Sequence, residues 1–184
     1  MMKKTIVCWL LLSFFIGMEA QNLHFKDGKF KIVQFTDLHY KLGNPASRQA
    51  TDCLYEIVKA EQPDLVVLTG DVIYSKPGDM CLQQVLNVLS DLKVPFCYLL
   101  GNHDPEQGIP VNQLYDQAQQ NSYCVQPKRN GNTLDYALPI KSGDGTKTAA
   151  VLYCMDTHDY CKMAGVGGYQ WLTSKQIGLY RNWS

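Results

Sequence analysis

No charge of either sign dominates this sequence. Seventeen Lys and Arg residues face seventeen Asp and Glu, for a formal net charge of zero. No basic field is available to hold nucleic acid, and no acidic or basic block marks an interaction tail. Low-complexity tracts are also missing, and 46% of residues are hydrophobic, which argues for a packed domain rather than a disordered chain. No Cys-x-x-Cys spacing occurs, which disfavours a thiolate zinc site. There is neither an internal repeat nor a linker, so 184 residues point to one domain with a real core. After residue 20 no apolar stretch is long enough to cross a bilayer.

The first twenty residues differ from the rest. Lys3 and Lys4 precede an apolar run from Ile6 to Ile16, and Ala20 closes it before Gln21 and Asn22. A charged start, a short apolar core and a small residue at the cut predict a secretory signal peptide over 1–20, with export to the periplasm or the extracellular space. A retained N-terminal anchor is the rival reading. The domain expected after cleavage is 21–184, with 15 basic and 16 acidic residues. Six cysteines remain in it. Cys97 and Cys154 fall inside predicted strands and are expected as buried thiols. Cys81, Cys124 and Cys161 are the better candidates for disulfides in an oxidising compartment, with connectivity open.

Apolar periodicity predicts alternating strands and helices. Strands are expected over 30–36, 65–69 and 94–100, each a short apolar run closed by Gly, Asn or Asp. Helices are expected over 46–61, 80–93 and 111–120, the second with a stripe of Leu82, Val85, Leu86, Leu89 and Leu92. The alternation argues for an α/β fold with a largely parallel sheet. Strands over 133–140 and 148–155, joined by a turn-rich segment, predict a hairpin added to that sheet. A short closing helix is expected within 171–183, in a segment where Tyr169, Trp171, Tyr180 and Trp183 form an aromatic cluster that packs or stays exposed.

Each of the first three strands ends in a polar cluster: Asp37-Leu38-His39, Gly70-Asp71 and Gly101-Asn102-His103-Asp104. Strand ends are where open α/β sheets place their sites, and Asp, His and Asn are ligand types that a pair of metal ions needs. Asp37 and His39, two apart on an extended strand end, would point the same way and address one ion. Asp71 could bridge two ions through its two oxygens, and Asn102 offers a neutral oxygen to the second. Two such ions lower the pKa of a shared hydroxide and neutralise charge on a phosphoryl group. His103 is then placed to protonate the leaving oxygen, and Asp104 to orient an imidazole. Asp and Asn after strands also cap ordinary turns, but three such turns carrying His39 and His103 are poorly explained that way.

In this order and about thirty residues apart, the three clusters resemble the first motifs of the calcineurin-like metallophosphoesterases. The segments 30–40, 99–104, 151–156 and 168–171 are similar to the purple-acid-phosphatase-like branch of that superfamily. The resemblance implies a β-sandwich flanked by helices, two divalent or trivalent ions (iron, manganese or zinc), and hydrolysis of small phosphate mono- or diesters through a metal-bridging hydroxide. It assigns Asp37 and His39 to the first ion, Asp71 to the bridge, Asn102 to the second ion and His103 to the acid. It also implies a further histidine and a Gly-His-x-His motif, which these residues do not contain. The chain therefore reads as the N-terminal portion of such a domain, with the C-terminal part of the fold missing. The alternative is a catalytically inactive fragment that at most binds metal or a partner. A nuclease is disfavoured by export and by the lack of a basic surface. Tyr74 matches the iron-binding tyrosine of purple acid phosphatases in Gly-Asp-x-x-Tyr, but His39 already fills that place, so a pocket wall or a plain packing residue is expected of Tyr74 before a ligand. His158 is expected as an exposed loop histidine.

Overall fold

The computed structural model describes residues 23–184, and the predicted signal peptide lies outside them. Strands β1 (Ile32–Phe35), β2 (Leu65–Thr69) and β3 (Phe96–Leu99) form a parallel sheet in the order β1-β2-β3. Helix α1 (Pro45–Glu61) connects β1 to β2, and α2 (Gly78–Leu92) connects β2 to β3. The run Leu65-Val-Val-Leu-Thr69 behaves as expected of a central parallel strand, which must be apolar on both faces. Val66 and Leu68 pack with Leu54 and Val58 of α1 and with Leu82, Val85, Leu86 and Leu89 of α2. Leu65 and Val67 point into a second cluster on the opposite face.

Local signals explain the helix ends. The Asn44 Oδ1 accepts from the Ala46 N–H at 2.8 Å, and Pro45 opens α1, where a missing N–H costs nothing. Both α1 and α2 stop at a left-handed residue, Gln62 and Lys93, whose N–H caps a carbonyl of the last turn. Helix α3 (Val111–Gln119) sends Leu114 and Ala118 to the first cluster and Tyr115 to the second.

The hairpin is not added to the parallel sheet. Strands β4 (Tyr136–Lys141) and β5 (Thr148–Cys154) form a separate antiparallel pair. The outer edge of β3 is already taken, because the Phe96 N–H donates to Tyr123 and the Phe96 carbonyl accepts from Val125. The hairpin packs face to face with the parallel sheet instead. Tyr136, Leu138 and Ile140 alternate inward along β4 and meet Leu65, Cys97 and Leu99, the two-layer arrangement in which each sheet hides one face. Residues 23–25 pair with Lys141 at the end of β4. The fold is thus a sandwich of two small sheets with helices on its outer face, as the resemblance implied.

Cys97 and Cys154 are buried thiols in the core, as expected. The expected bridging of Cys81, Cys124 and Cys161 is not found, since all three are unpaired. Cys81 is fully buried inside α2, where its thiol hydrogen-bonds to Ser75, so it presents no sulfur to another cysteine. Helix α4 (Ser174–Trp183) closes the described chain with a capping box between Thr173 and Gln176. Tyr180 and Trp183 rest on Tyr153 of β5, while Tyr169 and Trp171 remain exposed.

Candidate metal centre

The three predicted clusters converge at the C-terminal ends of β1, β2 and β3. Beyond the strands the loops stay zipped: the N–H groups of Asp37, His39 and Tyr40 donate to the carbonyls of Gly70, Asp71 and Val72 at 3.1, 2.9 and 2.9 Å. Asp37 and His39 do not continue the extended strand, however. Asp37, His39 and Asp71 all adopt the left-handed conformation, with φ of 55°, 46° and 50°. Such backbone is disfavoured for residues with a Cβ and collects where function over-determines it. The side chains still meet, through this turn rather than through strand alternation. His39 Nε2 lies 3.7 Å from Asp37 Oδ1 and 3.4 Å from Asp71 Oδ2.

The motif glycines are needed for this approach. A Cβ on Gly70, itself at φ +100°, would sit 2.6 Å from the Gly101 nitrogen, and a Cβ on Gly101 would collide with the Asp71 carboxylate. Only glycine lets the second and third loops touch. The contact lets the His103 N–H donate to Asp71 Oδ1 at 2.8 Å, which fixes the carboxylate and leaves Oδ2 toward His39.

Asp104 does not orient an imidazole. It is fully buried and clamps the two loops, accepting from Ile73 N–H through Oδ1 at 3.0 Å and from Gly101 N–H through Oδ2 at 2.7 Å. Burial pushes its carboxyl up to about 6, against the pull of these donors. The residue that pairs with the imidazole is Glu106, whose Oε2 is 2.8 Å from His103 Nδ1. Asp104–Gln107 is a 3₁₀ turn that His103 precedes, and residues three apart in such a turn eclipse. That spacing, opened by Asp104-Pro105, is the signal that sequence reasoning passed over. Glu106 raises the His103 pKa and His103 lowers that of Glu106, as an ion pair requires. Tyr160 donates to the other Glu106 oxygen at 3.1 Å, across 54 positions of sequence.

Tyr74 stacks on His39 at 4.7 Å and 8°, and meets His103 edge-on at 4.7 Å and 89°. It walls the centre, one of the roles left open for it. His158 is not part of that group: its Nδ1 is 3.0 Å from Asp156 Oδ2, its side chain is half exposed, and it lines a cavity with Gly101 and Tyr160.

Do these residues fit metal ions? One ligand atom each from His39, Asp71 and His103 lie within 4.8 Å of one another. The Asn102 Nδ2 is buried and has no hydrogen-bond partner among the described residues. Turning that amide over puts its oxygen there, and the two orientations are an assignment from hydrogen bonding. The Tyr160 hydroxyl is a polar neighbour of this amide, and a buried amide short of a hydrogen bond can offer its oxygen to a cation. The donors offered here, carboxylates, imidazole and amide, are all oxygen or nitrogen, a chemistry that divalent and trivalent metal ions accept.

The profile of the calcineurin-like phosphoesterase family matches residues 30–181. The chain belongs to this family. Among curated proteins it is similar to "Probable inactive purple acid phosphatase 29" of Arabidopsis thaliana, 26% identical over 95% of this chain and 55% of the relative. It is 30% identical to "Phosphatase DCR2" of Saccharomyces cerevisiae over 85% of this chain and 32% of the relative. The chain therefore spans between about a third and just over half of these phosphoesterase relatives. A solved dimetal phosphatase from Danio rerio aligns over 83% of this chain and 50% of its own length, at 18% identity and a TM-score of 0.44.

Proposed function

We propose that this calcineurin-like phosphoesterase hydrolyses small phosphate mono- or diesters at the centre formed by Asp37, His39, Asp71, Asn102 and His103. The observation that carries the reading is the convergence of three left-handed or glycine-hinged loops on one point, where the side chains of Asp37, His39, Asp71 and His103 meet. Asp37 and His39 would hold one ion, Asn102 would offer an oxygen to a second, and the Asp71 carboxylate stands where it could serve both. When bound, the ions supply an acidified water and neutralise the phosphoryl charge.

The chain's own side chains do the rest. Asp71 is kept in place by the His103 N–H, so its geometry does not depend on substrate. His103 carries the proton that the leaving oxygen needs, and the carboxylate of Glu106 favours the protonated imidazole. A cavity of about 540 Å³ opens beside the third loop, lined by Leu100, Gly101, Pro105, Tyr160 and Met163 among others. It offers the organic part of an ester an apolar wall next to the site.

A second reading rests on one observation. Among the described residues beyond His103 the one histidine is His158, and its Nδ1 is paired to Asp156 at 3.0 Å rather than to the centre. On that reading one ion is held weakly and turnover is absent. Metal content after dialysis, together with hydrolysis of p-nitrophenyl phosphate, separates the two. About two ions per chain with turnover supports phosphoester hydrolysis; a fraction of one ion without turnover supports the inactive reading.

A further inference from the structure

Glu106 has no part in the family motifs, and nothing in its exposed position requires a partner for stability. It is nevertheless held at both oxygens: Oε2 on His103 Nδ1 at 2.8 Å and Oε1 by the Tyr160 hydroxyl at 3.1 Å. A carboxylate only accepts, so the Nδ1 of His103 must carry the proton that joins them. This leaves Nε2 as the nitrogen free to face the centre. A ring nitrogen of His103 lies within 4.8 Å of the ligand atoms of His39 and Asp71. The other ring contacts of the imidazole are edge contacts, with Tyr74 at 4.7 Å and His39 at 5.4 Å, which do not select a tautomer.

We infer that Glu106, itself held by Tyr160, is the positioning residue that fixes the tautomer and ring orientation of His103, so that Nε2–H is the proton delivered to the leaving oxygen. The inference rests on the phosphoester reading of the site. In the step it serves, the bond from phosphorus to the leaving oxygen breaks and that oxygen takes the Nε2 proton. The neutral imidazole then remains with Nδ1–H on Glu106. Tyr160 comes from the loop after β5 and also lines the cavity beside the third loop. The acid is thereby oriented by the same segment that an ester's organic part would touch.

The test uses the full chain loaded with Mn²⁺ for kinetics and Zn²⁺ for nitrogen NMR of labelled histidine, comparing wild type with Glu106→Ala, Glu106→Gln and Tyr160→Phe. Phenyl phosphate needs an acid for its leaving group, whereas 2,4-dinitrophenyl phosphate does not. In Glu106→Ala, kcat for phenyl phosphate should fall about 10- to 100-fold, the usual range for a partner that orients a working histidine. KM, metal content and kcat for the dinitrophenyl ester should stay within about threefold. Glu106→Gln, which keeps an acceptor, should recover part of the loss, and Tyr160→Phe should show a weaker version of the same pattern. The His103 ring nitrogens should lose their distinct Nδ1–H signature in Glu106→Ala. Equal loss on both esters, loss of metal, or unchanged nitrogen signals each overturns the inference. Absence of turnover in wild type on both esters defeats the phosphoester reading instead, and the nitrogen signals then decide the positioning alone.

Discussion

Gly101 and the Asp71 carboxylate are in direct contact, and the missing Cβ of the glycine is the space the carboxylate occupies. The contact joins the loop after β3 to the loop after β2. It is reinforced by the His103 N–H on Asp71 Oδ1 and by the two backbone donors on Asp104. Ligand geometry and loop packing are therefore one arrangement, and a change to the glycine should be read in metal binding before it is read in the fold.

Gly101→Ala should displace the Asp71 carboxylate, since flexible relief is blocked by the Asp71 backbone nitrogen as well as by its side chain. Overpacking of this kind costs about 1–3 kcal/mol, and metal affinity should fall by more than that stability loss alone implies. Isothermal titration with Mn²⁺ and a urea melt on the same protein check it. Unaltered affinity would show that the two loops do not need this close approach.

Asp71→Asn and His103→Ala should separate the ligand from the acid. Removing the bridging carboxylate should weaken metal binding more than any other single change at the centre. His103→Ala should keep the metal and lower turnover by about 10²- to 10⁴-fold, the range of a general acid. If His103→Ala strips the metal instead, His103 is a ligand and the acid lies elsewhere.

Much of this arrangement was legible in the sequence. β2 runs over the same residues that its unbroken apolar run predicts, because a strand buried on both faces leaves no ambiguity of period. The hairpin at 136–154 was also legible as a hairpin, but not its partner sheet, because alternation reveals an inward face without saying what covers it. The meeting of Asp37, His39 and Asp71 followed from strand ends. The left-handed backbone that achieves it did not, since Asp and His are enriched at positive φ but most of them adopt other conformations. Asp104 was misjudged because adjacency to His103 suggested contact, whereas a 3₁₀ turn places Glu106 over the ring and buries Asp104 beneath it. Tyr160 reaches Glu106 only through the tertiary fold.

The buried Asp104 should leave a signature in the pH dependence of stability. Its folded-state pKa is raised to about 6 from an ordinary 3.8. The unfolded chain therefore binds fewer protons at this position between those values, and stability from this group falls as pH rises. The contribution is full below pH 3.8 and is lost as pH passes about 6. It amounts to about 3 kcal/mol, at about 1.4 kcal/mol for each tenfold change in proton affinity. Asp104→Asn cannot titrate and gives up one of the two backbone bonds, a roughly constant loss of about 1–3 kcal/mol. In urea titrations with chelator present, wild type should exceed the variant by more at pH 4 than at pH 7. A difference that is the same at both would mean that the carboxyl does not change its charge in this window.

Helix α4 is attached to the site through one buried amide. Gln176 Nε2 donates to Asp135 Oδ1 at 2.9 Å and to the Asp156 carbonyl at 2.6 Å, while its Oε1 accepts from the Thr173 N–H at 2.9 Å. Asp135 Oδ1 also accepts from the Asp156 N–H at 2.9 Å. One side chain thus ties the helix cap, the approach to β4 and the residue at which the Tyr160 loop begins. Gln176→Leu keeps the volume but leaves these buried groups unpaired, which costs about 1–3 kcal/mol. Because Ile177 is exposed and the aromatic contact of α4 is confined to Tyr180 and Trp183 on Tyr153, the polar tie carries much of the hold on the helix. Hydrogen exchange should rise across 174–183 and extend into 156–170, while the core strands Leu65–Thr69 and Phe96–Leu99 keep their protection. Undiminished protection of α4 would show that its contacts with Tyr153 suffice, and that the polar tie is not what holds the Tyr160 loop beside Glu106.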